Sequence, residues 1–163
     1  MKLNLDGKEA NLTFESVHLV PGRGGCSRLH PHFHTVSVSL KGEPSERGQL
    51  VHVYHLKEVV RRLCLEFDHM VLVARYPASV MTVDEEETGY RITVNGKTYL
   101  LPYSDVLRLP IGTLNVEDLC QYMAETLLER LDPILDSRRI VSLTVEVDEG
   151  NGQSATITLP SRG

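Results

Sequence analysis

Histidines and apolar side chains alternate with other residues along positions 30–40 of this 163-residue chain. The alternating positions are His30, His32, His34, Val36, Val38 and Leu40. Side chains two positions apart emerge from the same face of a β-strand. The pattern therefore predicts a long strand with three histidines and an apolar stripe on one face.

Other segments also have the alternation of strands. Residues 11–20 form one such segment, and the Gly- and Pro-rich loop PGRGG joins it to the histidine-bearing strand. In GYRITVNGKTYLL, strand residues flank Asn95 and Gly96, a dipeptide that accepts positive φ at both turn positions, so a hairpin is predicted. RIVSLTVEV and QSATITL, joined by the turn DEGNG, are predicted to be the last two strands.

Two segments have helical spacing instead. Residues 55–67 (HLKEVVRRLCLEF) carry one apolar stripe, and a second helix is predicted to start at Asn115 and to end near Pro133. The order of elements favours an α+β fold in one domain, residues 1–163. We expect two helices on one face of a four-stranded antiparallel sheet, with a hairpin inserted at about residues 78–110. The long, apolar final strands leave open sheet edges, which favours oligomerisation.

Composition excludes several classes of protein. The chain has 17 Lys+Arg, 22 Asp+Glu and a formal charge of −5, without a basic block, which argues against a nucleic-acid partner. No apolar run approaches the roughly 20 residues of a membrane span. The N-terminus lacks the apolar core of a signal peptide, and three scattered cysteines do not form a disulfide framework. We therefore expect a cytoplasmic protein.

The distribution of histidine indicates a metal site. All seven histidines lie between His18 and His69. His30 and His32 share a strand face, and His18 has the right parity on the preceding strand to be a third ligand. Three neutral imidazoles with an open coordination position are typical of catalytic Zn²⁺. The alternative is a chance set of surface histidines. His34 is either a fourth ligand or, as we favour, a core or rim residue above the site.

Candidate reactive groups lie beside this proposed metal. Cys26 is predicted to be exposed in the Gly-rich loop, where a metal or a cation lowers a thiol pKa and makes it a usable base or nucleophile. Cys64 and Cys120 fit buried helix positions instead. The adjacent Asp68 and His69 are a natural partner for the thiol, although histidine at a helix C-terminus is also favoured by the dipole.

Three runs of residues together resemble a known family. They are residues 14–18 (FESVH), 26–32 (CSRLHPH) and 67–69 (FDH). Their order and spacing resemble the 6-pyruvoyltetrahydropterin synthase and 6-carboxytetrahydropterin synthase family. Residues 116–119 are similar to the segment that opens the family's second helix, and residues 145–149 to its strand ending in a pterin-binding glutamate. The resemblance covers about residues 11–159 apart from the insert.

The resemblance implies a tunnelling fold, in which trimers form a barrel and stack into a hexamer. It implies Zn²⁺ as cofactor, held by His18, His30 and His32. It also implies a cysteine base assisted by an Asp-His pair, and glutamates that contact the pterin. In this sequence the base would be Cys26, and the assisting pair would be Asp68 and His69. The glutamates that contact the pterin would be Glu149 and Glu117.

Some positions depart from the family pattern. Proline replaces the usual glycine between the two metal histidines, and Pro31 suits an edge or a bulge rather than a central ladder position. His52 stands where an aspartate is usual. Val116 stands where the family has a threonine, which weakens a side-chain contact to the substrate unless the main chain makes most of the contact there.

The resemblance also implies a reaction on 7,8-dihydroneopterin triphosphate. The short gap between Cys26 and His30 favours the branch that forms 6-carboxy-5,6,7,8-tetrahydropterin for 7-deazaguanine synthesis. The pyruvoyl branch and another pterin lyase activity remain alternatives. A non-catalytic metal-binding barrel subunit is a further alternative. Such a subunit needs neither Cys26 nor the pair Asp68 and His69, so the presence of all three residues argues against it.

Overall fold

A computed structural model describes residues 1–22, 25–77 and 80–161, and these contain ten β-strands and two α-helices. The strands are β1 (Lys2–Leu5), β2 (Thr13–His18), β3 (His30–Gly42), β4 (Met70–Ala74), β5 (Met81–Glu85), β6 (Gly89–Val94), β7 (Lys97–Pro102), β8 (Val106–Leu109), β9 (Ile140–Asp148) and β10 (Ser154–Pro160). The helices are α1 (Val53–Phe67) and α2 (Val116–Leu131).

The main sheet has seven strands rather than the predicted four. Its order is β10-β9-β3-β2-β4-β8, and β1 also pairs with β3. The four predicted strands β2, β3, β9 and β10 form its antiparallel part together with β1, while β4 and β8 extend it as parallel strands. With both helices present, the predicted α+β class is confirmed and the sheet is wider than expected.

Both helices pack against one face of this sheet. The largest fully buried side chains of this core include Phe14, Leu40, Leu56, Phe67, Leu119 and Met123. Helix α1 begins two residues earlier than predicted. Helix α2 begins where predicted, because the Asn115 side chain accepts a hydrogen bond of 2.9 Å from the backbone N–H of Asp118. Neither helix is long and apolar enough to cross a membrane.

The insert is a three-stranded sheet, in the order β5-β6-β7, rather than a hairpin alone. Residues 78 and 79, the first two of the predicted insert, lie outside the described residues. The predicted turn is present, with φ of 49° at Asn95 and 73° at Gly96. The insert packs against Val73 and Val106, whereas their chain neighbours Leu72 and Leu107 pack in the core on the helix side. Because side chains alternate along a strand, the insert covers the opposite face of the main sheet from the helices.

Candidate active site

Three histidines converge where β2 ends and β3 begins. The antiparallel register places His18 opposite His30, and Ser16 opposite His32. One ring nitrogen from each of His18, His30 and His32 lies within 4.8 Å of the other two. The ring centroids are 4.7 to 5.0 Å apart. The two strands therefore bring together the histidines that the sequence predicted as metal ligands.

Main-chain carbonyls orient two of the three rings. Nδ1 of His30 lies 2.8 Å from the Arg28 carbonyl oxygen, and Nδ1 of His32 lies 2.9 Å from that of Glu149. A carbonyl oxygen can only accept, so each Nδ1 carries a proton, and in the neutral ring Nε2 is the nitrogen with the free lone pair. This is the arrangement that holds a metal-binding imidazole in one tautomer.

His18 is the buried member of the set. Burial, with smaller contributions from the neighbouring His30, His32 and His34, lowers its pKa from 6.5 to about 3. Its ring is therefore neutral at physiological pH. Its buried Nδ1 has no hydrogen-bond partner within the described part of the chain. Neutral imidazoles and an unsatisfied ring nitrogen are the donor set that a transition-metal ion requires, so these residues fit a metal.

His34 lies outside this group, on the core side of His32. Its ring stacks on Phe14 with centroids 4.4 Å apart, and its Nδ1 lies 3.5 Å from the Ser16 hydroxyl. Burial lowers the pKa of His34 to about 4. Of the two favoured positions, core or rim, the structure shows the core.

Pro31 lies in the part of β3 that pairs only with β2. It is opposite Val17, whereas pairing of β3 with β9 begins at Thr35. Only one side of the proline therefore faces a neighbouring strand. This agrees with the expectation that a proline here avoids a central ladder position.

The three cysteines are free and differ in exposure. Cys26 is exposed in a short 3₁₀ turn of the loop between β2 and β3, and its carbonyl oxygen accepts a 2.8 Å hydrogen bond from the N–H of Val20. Cys64 and Cys120 are buried in the helices. Burial raises the pKa of the Cys64 thiol to about 12 and also raises that of Cys120. Only Cys26 is accessible for chemistry.

Asp68 and His69 form a pair beside β2 that is ionic when His69 is protonated, with His69 Nδ1 2.8 Å from Asp68 Oδ2. The other carboxylate oxygen accepts a 2.9 Å hydrogen bond from the N–H of Glu15. That bond, followed by the hydrogen bond and charge of His69, lowers the pKa of Asp68 despite its partial desolvation. The His69 side chain is 80% exposed. Within the described residues, no hydrogen bond, ion pair or ring contact joins this pair to Cys26 or to the three histidines.

Glu149 lies beside the histidines, directly after β9. The residue is buried, and its carbonyl oxygen is the one that orients His32. Its carboxylate makes no hydrogen bond or ion pair with any residue in the described ranges. Sequence reasoning selected Glu149 for its carboxylate and missed the carbonyl, which no side-chain pattern reveals.

Glu117 is exposed in the first turn of α2 and has no hydrogen bond to the other candidate residues among those described. The structure therefore does not join it to the histidine site within one chain. Its contact with a pterin stays a prediction.

Comparisons with known proteins agree on one family. The family model described as 6-pyruvoyl tetrahydropterin synthase matches residues 9–160. A protein of Methanocaldococcus jannaschii is 33% identical over 156 residues, covering 95% of this chain and 94% of that protein. One of Pyrococcus abyssi is 30% identical over 152 residues, covering 92% and 89%. Both are named "Putative 6-carboxy-5,6,7,8-tetrahydropterin synthase".

Solved structures show the same fold. The 6-pyruvoyltetrahydropterin synthase of Plasmodium vivax superimposes with a TM-score of 0.90 at 27% identity, covering 98% of both chains. The enzyme of Plasmodium falciparum superimposes with a TM-score of 0.86 at 23% identity, again covering 98% of both chains.

Proposed function

Because the chain belongs to the 6-pyruvoyl tetrahydropterin synthase family, we propose that it is a zinc-dependent lyase acting on 7,8-dihydroneopterin triphosphate. The proposed product is 6-carboxy-5,6,7,8-tetrahydropterin, formed in a reducing cytoplasm where the three free thiols persist. The observation that carries the proposal is the convergence of His18, His30 and His32 beside an exposed cysteine loop.

The three histidines would hold the zinc ion. A bound Zn²⁺ supplies a Lewis acid for the oxygens of the substrate side chain. The chain's own contribution is orientation, because the carbonyls of Arg28 and Glu149 direct the Nε2 lone pairs of His30 and His32. Burial of His18 keeps the third ring neutral, which removes proton competition at neutral pH.

Cys26 is the proposed general base. The reaction requires removal of a proton from a carbon beside a substrate oxygen, and a thiolate in an exposed loop can accept it. The buried thiols of Cys64 and Cys120 are kept protonated by their raised pKa values and cannot take this role.

Glu149 and Glu117 are the proposed pterin contacts. The amino-pyrimidine edge of a pterin presents N–H donors, and a carboxylate accepts from them without competing donors of its own. Glu149 is suited to this task because the residue is buried and its main-chain carbonyl contacts His32. Its carboxylate is not engaged by another group in the described residues. Glu117 would act from an exposed helix turn.

Assembly of several copies would complete the site. Asp68 and His69 are proposed to assist Cys26, yet they do not contact it within one chain, and His69 is largely exposed. Association of copies can bring the pair of one chain to the cysteine of another. This agrees with the homo-oligomer, a hexamer built from two trimers, that the family resemblance implies.

The product distinguishes the two main candidates. The two curated relatives support the carboxy product, while the solved structures named as 6-pyruvoyltetrahydropterin synthases favour the pyruvoyl product as the second candidate.

Purified protein incubated with 7,8-dihydroneopterin triphosphate is expected to release 6-carboxytetrahydropterin and acetaldehyde, detected by mass spectrometry. A chelator should stop the reaction, and added Zn²⁺ should restore it. Formation of 6-pyruvoyltetrahydropterin without acetaldehyde supports the second candidate, and no turnover of the triphosphate refutes both.

A further inference from the structure

The turn of the insert contacts the loop that carries Cys26. The side-chain amide of Asn95, between β6 and β7, donates a 2.6 Å hydrogen bond to the carbonyl oxygen of Gly22. Asn95 and Gly96 both have positive φ, which places the amide at the tip of a tight two-residue turn. The contact joins two segments 73 positions apart in the sequence.

Apolar packing fixes both ends of the same loop to the insert. Leu19 is 2% exposed and belongs to the buried cluster that contains Ile92 and Val94, and Leu29 packs against that cluster. Each of these leucines is next in sequence to a histidine of the triad, His18 or His30. Leu19 directly follows β2 and Leu29 directly precedes β3. Each leucine packs against the insert's cluster, while the adjacent histidine belongs to the metal site.

A main-chain hydrogen bond then links this anchored loop to the cysteine. The N–H of Val20 donates to the carbonyl oxygen of Cys26 at 2.8 Å. The insert therefore restrains the loop at Leu19, Gly22 and Leu29, on both sides of the thiol. Without such restraints, a loop that contains several glycines would lose much conformational entropy each time it held the thiol in a single position.

We propose that the three-stranded insert is a positioning element for Cys26, and that Asn95 is its positioning residue. The proposal rests on the proposed function of Cys26 as the base. The geometry ties the tip of the insert to the cysteine loop, so the insert restricts the thiol to the position from which it reaches the substrate. Loss of the amide contact lowers the population of that position without altering the metal ligands.

The test compares two asparagine substitutions. Asn95→Gly keeps a residue that tolerates positive φ and removes the amide. Asn11→Gly is the matched control, because Asn11 has a φ of 53°, is exposed and precedes β2, at the opposite end of that strand from the loop. We expect Asn95→Gly to lower kcat roughly 3- to 10-fold, the effect of one net hydrogen bond, with KM, zinc content and melting temperature as in the control.

Hydrogen exchange and a double-mutant cycle give readouts beyond activity. The Val20 amide should exchange roughly 3- to 10-fold faster in Asn95→Gly, since its bond to Cys26 opens more often. In a Cys26→Ala background, Asn95→Gly should have no further effect on kcat, because the amide acts through the thiol. Asn95→Asp, which keeps the turn but presents a carboxylate to the Gly22 carbonyl, should lose at least as much as Asn95→Gly.

The outcomes separate this proposal from the proposed function. Unchanged Val20 exchange, or faster exchange with unchanged kcat, overturns the positioning role of Asn95 alone. Equal losses for Asn95→Gly with and without Cys26 also overturn it, because the effect would then not pass through the thiol. A Cys26→Ala enzyme that turns over like the parent refutes the proposed base itself.

Discussion

Replacing Cys26 by alanine should slow turnover without dismantling the site. General-base catalysis contributes roughly 10²–10⁴-fold, so kcat should fall by that factor, which corresponds to about 2.7–5.5 kcal/mol of barrier. Cys26 is exposed and is not one of the converging nitrogen donors, so zinc content and assembly should not change. Steady-state kinetics on the triphosphate, with metal analysis of the same samples, measure both quantities.

The buried cysteines provide the control for this experiment. A thiol with a pKa of about 12, such as Cys64, is ionised to about one part in 10⁴ at pH 8, so it cannot replace the missing base. Cys64→Ala should therefore keep most of the activity, and iodoacetamide should label Cys26 long before Cys64 and Cys120. If Cys26→Ala turns over like the parent while His69→Ala is inactive, the base is His69. If Cys26→Ala loses the metal, the thiol is a ligand and the three-histidine site is wrong.

Three further predictions concern the substrate contact, the ion pair and the assembly. Glu149→Gln should raise KM by the equivalent of about 1.5–3 kcal/mol, the value of a charge-assisted hydrogen bond. Glu146 lies on the other face of β9, so Glu146→Gln should leave the kinetics unchanged. Equal effects at both positions would refute the choice of Glu149. Asp68→Ala should destabilise the fold by about 0.5–1.5 kcal/mol in chemical denaturation, because the N–H of Glu15 exchanges its carboxylate acceptor for water. Folding lowers the pKa of Asp68, so this stabilisation is present above the unfolded pKa and is lost as the pH falls through the folded pKa. The unfolding free energies of the parent and Asp68→Ala should therefore converge in acid. A difference that persists there contradicts the role of the carboxylate. Light scattering should show an oligomer, and a dilution-stable monomer of 18.3 kDa would contradict the assembly.

Local patterns were sufficient to predict much of the fold. The alternation along residues 30–40 predicted β3, and the dipeptide Asn95-Gly96 predicted the turn between β6 and β7. The missed strands are short. β1 has four residues, and β4 and β8 are brief apolar runs whose parallel pairing joins segments distant in sequence. A run of that length has no period that distinguishes a buried strand from a piece of helix.

The candidate site, like the fold, could be predicted from the sequence only in part. Strand parity placed His18, His30 and His32 on one face, and the structure brings their ring nitrogens together. The carbonyl of Glu149 reaches His32 across 117 positions, and a main-chain oxygen leaves no trace in the sequence. The expected contact of Cys26 with the Asp-His pair is not formed within one chain, because that pair is held beside Glu15 by the pairing of β4 with β2.

Metal analysis of single histidine variants tests the central claim most directly. Purified parent protein, dialysed and measured by plasma mass spectrometry, should carry one zinc ion per chain. His32→Ala should carry none, because the site loses one of three nitrogen donors, while His55→Ala, which removes an exposed histidine of α1, should keep the parent content. Full zinc occupancy in both His30→Ala and His32→Ala would contradict the account.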